Sequence, residues 1–166
     1  IVKQGYAEQF KLTWLDPIGF NDTYALAMRR ADAEKLGIKT MSDLAAHASE
    51  LTLGSTQEFL VRPDALPGIM STYKMAFSGT RGMDPGLVYQ AIASGNVDVI
   101  SVFTTDGRIK ANDLVTLADD KMFFPPYYLT PVVRSDTLAA HPEIAEALNA
   151  LSGKIDEATM ISINSS

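Results

Sequence analysis

Short apolar runs, each closed off by Gly, Asp, Asn or Pro, alternate along this chain with stretches in which apolar residues recur at helical spacing. Runs of the first kind predict strands at Leu12 to Leu15, Tyr24 to Met28, Leu51 to Leu53, Val97 to Val102, Val115 to Leu117 and Pro131 to Val133. The predicted helices begin at cap-like residues: Asp32 before Ala33 to Leu36, Ser42 before Asp43 to Ala48, Asp84 with Pro85 in the first turn, and His141 with Pro142 in the first turn. Met83 to Ser94 is the clearest helix, with Leu87, Ala91 and Ile92 on one face and Gly95 as its stop. Such alternation predicts an α/β fold with a mostly parallel sheet.

Two extended, proline-stiffened passages, Trp14-Leu15-Asp16-Pro17 and Phe124-Pro125-Pro126-Tyr127, flank the compact middle. They predict a two-lobed protein whose chain leaves one lobe and later returns. Residues 1–23 read as a remnant of the first lobe with its crossover, 24–116 as a second α/β lobe, and 117–166 as the return crossover with a C-terminal helical part of the first lobe. Too little lies outside the middle to build a full first lobe, so the chain is expected to be a fragment.

The 46% apolar and 20% charged content is that of a globular domain with enough material for a core. Every apolar run is broken well short of the roughly 18 residues a membrane-spanning helix needs. A net charge of -6, with the basic residues scattered, argues against nucleic acid as a partner. The absence of cysteine removes disulfides, thiol catalysis and thiolate metal sites. The sequence opens at Ile1 without a basic n-region or apolar h-region, so a signal peptide, if encoded, is expected to lie outside it.

No enzyme constellation emerges. His47 and His141 are the only histidines and lack metal-ligand spacing, and there is no nucleophile elbow, Walker loop or dinucleotide fingerprint. Gly79-Thr80-Arg81-Gly82 resembles a phosphate loop only in composition and reads as a surface turn. Asp119-Asp120, Glu58 and Asp64 read as solvated charges rather than a glycosidase pair. No residue calls for a cofactor or a metal.

The aromatic residues are more informative. Phe103, Tyr127 and Tyr128 lie at strand ends or beside prolines, and Tyr24 opens a strand. On two-lobed α/β scaffolds such points face the crevice. Aromatic faces turned inward make a cage for a cation that cannot donate hydrogen bonds, such as trimethylammonium. Arg62 could offer a bidentate fork to a carboxylate. The plain alternatives are core packing for the aromatics and a surface ion pair for Arg62.

From Phe20-Asn21-Asp22-Thr23-Tyr24-Ala25-Leu26 onward, the sequence resembles the glycine betaine/carnitine/choline-binding proteins of ABC importers. The likeness continues through Thr40-Met41-Ser42-Asp43-Leu44, Glu58-Phe59-Leu60-Val61-Arg62-Pro63-Asp64, Met83-Asp84-Pro85-Gly86-Leu87-Val88-Tyr89, Val97-Asp98-Val99, Thr104-Thr105-Asp106-Gly107-Arg108 and Asp119 to Tyr127. The resemblance implies a type II periplasmic-binding-protein-like fold, here the second lobe plus the returning C-terminal part of the first, closing on its ligand by a hinge. It implies an aromatic box for a quaternary ammonium group, with Tyr24, Phe103 and Tyr127 as walls and Arg62 as the carboxylate partner. Phe103 stands where the family usually has Tyr, keeping the π face but losing a hydroxyl. Implied with it are a non-enzymatic role in transport, a membrane permease as partner and an extracytoplasmic location; the competing assignment is an effector-sensing domain of a regulator with the same fold. The resemblance leaves the family's N-terminal segment unmatched, so apolar surface is expected to lie open, and the fragment either to self-associate through it or to have rearranged its flanks.

Overall fold

The computed structural model describes residues 2–165. In chain order they form α1 (Val2–Phe10), β1 (Leu12–Trp14), β2 (Tyr24–Arg29), α2 (Arg30–Leu36), α3 (Met41–His47), β3 (Thr52–Ser55), α4 (Gln57–Val61), α5 (Leu66–Tyr73), β4 (Gly79–Gly82), α6 (Pro85–Ala93), β5 (Val99–Phe103), α7 (Arg108–Ala111), β6 (Leu114–Thr116), β7 (Val132–Arg134), α8 (Ser135–Ala140), α9 (Glu143–Asn149) and α10 (Glu157–Asn164). Contacts divide the chain into unit 1, residues 2–22 with 126–164, and unit 2, residues 23–125. Residues 117–125, which the sequence reading gave to a return crossover, cluster with unit 2. Asp119 ties them there by accepting hydrogen bonds from the Tyr73 hydroxyl and from the backbone N–H groups of Phe123 (3.0 Å) and Phe124 (2.8 Å).

Unit 2 is a five-stranded sheet in the order β4-β3-β5-β2-β6. It is mixed, which corrects the expectation of a mostly parallel sheet: β3 runs parallel to β4 and β5, while β2 runs antiparallel to β5 and β6. Apolar periodicity reports which residues are buried and carries no information on strand direction. β4 had not been expected, because an exposed edge strand made of Gly-Thr-Arg-Gly has no apolar signature; its backbone pairs with β3 from Thr52↔Gly79 to Ser55↔Gly82.

Both sheet faces are covered, which is why β2 and β5 read as continuous apolar runs rather than alternating ones. Successive side chains point to opposite faces. Leu26, Met28 and Val99 therefore join a core with Met41, Leu44, Phe59 and Ile69 on one side. On the other, Ala25, Ala27, Ile100 and Val102 pack with Val88, Tyr89 and Ile92 of α6. The buried face of α6 is thus not the expected Leu87, Ala91 and Ile92, since Leu87 is 50% exposed. Thr40, rather than Ser42, caps α3: its hydroxyl accepts from Asp43 N–H while the Asp43 carboxylate accepts from Thr40 N–H, a capping box. Gly37 ends α2 in the left-handed conformation (φ 70), where a side chain would be strained.

Unit 1 holds an antiparallel pair, β1 with β7, in register from Leu12↔Arg134 to Trp14↔Val132. Its buried apolar residues are Leu15, Ile18 and Phe20, which follow β1, and none of α1, α8, α9 or α10 has a buried residue.

Candidate functional site

The antiparallel pairing of β2 with β5 decides the geometry. It sets Tyr24, the first residue of β2, opposite Phe103, the last residue of β5. Their rings lie 4.6 Å apart between centroids at 31°. Tyr24 also touches the rings of Phe59 (5.2 Å) and Phe124 (6.0 Å), so its plane is held from behind while Phe103 remains 46% exposed. Two of the residues singled out in the sequence are therefore brought together, and the pair fronts a cavity of about 240 Å³ within unit 2.

This cavity opens where β3 and β5 end, the carboxyl end of parallel strands at which α/β sheets bind ligands. Its polar lining includes Thr56, Glu58, Ser101, Asp106 and Arg108, and Tyr89 adds a further aromatic wall. Thr56 caps α4 by accepting from Phe59 N–H at 3.3 Å. Ser101 is bonded to the fully buried Ser55 hydroxyl at 2.5 Å.

Asp106 and Arg108 form the charged end of the lining. Arg108 donates from Nε and Nη2 to the Asp106 carboxylate (3.0 and 2.6 Å), and its guanidinium carbon lies 4.2 Å over the Tyr89 ring. Burial works to raise the Asp106 carboxyl, but hydrogen bonds from the Arg108 side chain and backbone overcome it and hold the group below its usual range. Burial, followed by the Asp106 charge, pushes the Tyr89 hydroxyl well above its ordinary value, so the ring stays neutral.

Arg62 stands differently. Its Nε and Nη2 fork onto Asp64 (2.9 and 2.6 Å) and its Nη1 donates to Glu58 (2.9 Å). Those bonds raise Arg62 further and lower Asp64. Arg62 is not among the residues lining the cavity and reaches it only through Glu58. Tyr127 lies in unit 1, with its N–H on the Asn21 side-chain oxygen (2.5 Å), its carbonyl accepting from Asp22 N–H (3.0 Å) and 48% of its surface open.

Three contributors, Tyr89, Asp106 and Arg108, had been given no role from sequence. The one available signal was the Asp-x-Arg spacing just beyond a strand end, which lets a carboxylate and a guanidinium close on each other as Arg62–Asp64 also do. Among the described residues no group of acidic or histidine side chains could hold a metal ion, and no helix is long and apolar enough to cross a membrane.

A family described as the substrate-binding domain of ABC-type glycine betaine transport systems matches residues 1–166. The chain is 43% identical over 164 residues to a glycine-betaine-binding protein of Pseudomonas aeruginosa, covering 92% of this chain and 53% of that protein. It is 39% identical over 163 residues to an ergothioneine transport permease/ergothioneine binding protein of Helicobacter pylori, covering 98% of this chain and 30% of that protein. The chain thus spans about half, or less, of these relatives. Among solved structures, that of a glycine betaine/carnitine/choline ABC transporter superposes with a TM-score of 0.86 at 40% identity, over 98% of this chain and 60% of that one. The substrate-binding domain 2 of Lactococcus lactis GlnP (TM-score 0.63, 17% identity, 94% of this chain and 63% of that one) shares the fold.

Proposed function

From a chain that belongs to the family of substrate-binding domains of ABC-type glycine betaine transport systems, we propose a part of an importer's capture component, one that holds a quaternary ammonium compound without transforming it. The observation that carries this is the Tyr24–Phe103 pair at the mouth of the unit 2 cavity. A tetraalkylammonium group has no N–H to donate, so it is recognised by aromatic faces and dispersion, each cation–π contact contributing roughly 0.5 to 2 kcal/mol. Phe103 supplies that face as well as Tyr would, and the missing hydroxyl bears on hydrogen bonding alone. The proposal extends to Tyr127 of unit 1, whose half-open ring is available to a cation. A membrane permease is the proposed partner, in an extracytoplasmic setting, by the company this family keeps.

A second ligand is favoured by a specific feature. Asp106 and Arg108 line the cavity beside the aromatics, and they offer hydrogen-bond partners that a bare trimethylammonium group cannot use. Ergothioneine, named for the Helicobacter relative, adds a carboxylate and a polar ring to the same cation.

Isothermal titration of the full-length protein with glycine betaine, carnitine, choline and ergothioneine tests the proposal. At least one is expected to bind, with Tyr24→Ala weakening it by about threefold to thirtyfold. Failure of all four at millimolar concentration rejects a quaternary ammonium ligand.

A further inference from the structure

We propose that Asp119 is a positioning residue for the cation site: it fixes Phe124 behind the Tyr24 ring and so sets how firmly the Tyr24–Phe103 pair holds a quaternary ammonium group. This rests on the quaternary ammonium reading above, and two sets of contacts within unit 2 connect the carboxylate to the pair.

Hydrogen bonds make the first set. The Asp119 carboxylate gives one oxygen to the Phe123 N–H (3.0 Å) and the other to the Phe124 N–H (2.8 Å). It also accepts from the Tyr73 hydroxyl, which in turn accepts from Lys121 N–H at 2.9 Å. Met122 N–H closes back on the Asp119 carbonyl at 3.1 Å. Between these bonds Met122 stands in the left-handed region (φ 51), although its side chain is 86% exposed. A bulky residue keeps that conformation only where its surroundings over-determine it. With so little of Met122 packed, the bonds to Asp119 are what hold the turn.

Aromatic rings make the second set. Phe123 lies against the backbone of α5, where a Cβ on Gly68 would come within 2.6 Å of its ring. Phe124 meets Phe123 edge-on at 5.0 Å and lies 6.0 Å from Tyr24, whose other neighbour is Phe103 at 4.6 Å. Tyr24 and Phe103 line the cavity, whereas Asp119, Phe123 and Phe124 do not. The three therefore act on a ligand there through Tyr24. A ring supported from behind keeps its orientation before the ligand arrives, so less side-chain freedom is lost on binding.

The test uses the full-length protein with Asp119→Ala, Asp119→Asn, Phe124→Leu and the double variant Asp119→Ala/Phe124→Leu. Leu114→Val serves as the control for lost stability, because Leu114 is buried on the other sheet face and pairs with Arg29, at the far end of β2 from Tyr24. Two quantities are read: the proton NMR resonances of the Tyr24 ring, which neighbouring ring currents displace, and the affinity for glycine betaine and choline by titration. Asp119→Ala and Phe124→Leu should each move the Tyr24 resonances and weaken both ligands alike, by about threefold to tenfold. The double variant should be no weaker than the worse single one, since both changes remove the same support. Asp119→Asn keeps one acceptor oxygen and should recover part of the loss, while Leu114→Val should change neither quantity. The assignment is overturned if Asp119→Ala leaves the Tyr24 resonances or the affinity unchanged, if the two losses add in the double variant, or if Leu114→Val weakens binding equally. A parent that binds neither ligand defeats the cation reading itself, and the Tyr24 resonances then still decide whether Asp119 positions that ring.

Discussion

Unit 2 and unit 1 are built from the same kinds of short element, yet they bury them very differently. Leu26, Met28, Leu53, Ile69 and Ile100 of unit 2 are wholly closed to solvent, while the four helices of unit 1 bury nothing completely and Val132, Leu129 and Tyr128 stand open. A five-stranded sheet covered on both faces gives each apolar residue partners above and below. A two-stranded ribbon is marginal by itself and offers far less surface to pack against. Helix-forming sequence is thus not enough for a buried helix: α9 carries Ile144, Ala145 and Leu148 at helical spacing, and each is only half-buried. The proposed binding chemistry sits with the better-packed unit, where aromatic rings can be held at fixed angles.

The largest expected effect breaks or sustains this comparison directly. Ile100→Ala in the sheet core should cost about 2–5 kcal/mol in urea unfolding. Leu148→Ala in α9 should cost less than half of that, and equal losses would show that unit 1 is packed as tightly as unit 2. Native-state hydrogen exchange sharpens the point, with amides of β2 and β5 protected longest and those of α8 to α10 exchanging first.

Next in size is Asp119→Ala. It removes the acceptor for the buried Tyr73 hydroxyl and for two backbone N–H groups, and should cost about 1–3 kcal/mol. Tyr73→Phe removes only the hydroxyl and should cost less. If both are neutral, residues 117–125 are not anchored to unit 2 by this carboxylate.

Acid should act through Asp106. Its native pKa lies below the ordinary value near 3.9. The stabilisation is therefore complete above the unfolded pKa and is lost as pH falls through the native one. Asp106→Asn should flatten the pH dependence of the melting temperature below about pH 4, and an unchanged slope would place the acid sensitivity elsewhere. The smallest effect is expected in unit 1, where Arg134→Ala opens an exposed pair with Asp136 and should leave the melting temperature unmoved, because water and salt screen such pairs.

All six strands anticipated from apolar runs exist within a residue or two of their expected ends, and α6 begins at Pro85 behind Asp84 as expected. Those features are legible because burial on both faces leaves unbroken apolar runs, and because Pro fits the first turn of a helix. β4 was not legible, since its hydrogen bonds are made by backbone that every sequence carries. At the site, Tyr24 and Phe103 could each be suspected from their places beside turns, and membership of the substrate-binding family follows from motifs along the chain.

The sequence by itself thus determined the α/β class, the number and spacing of the main strands, and the residue types available for holding a cation. Only the tertiary structure decided that β2 runs against β5, which sets Tyr24 across from Phe103, and that Arg62 closes on Asp64 and Glu58 while Arg108 lies in the cavity. The reason is physical: burial is a property of each residue and leaves a periodic trace along the chain, whereas strand direction and the choice of ion-pair partner are relations between distant residues and leave none.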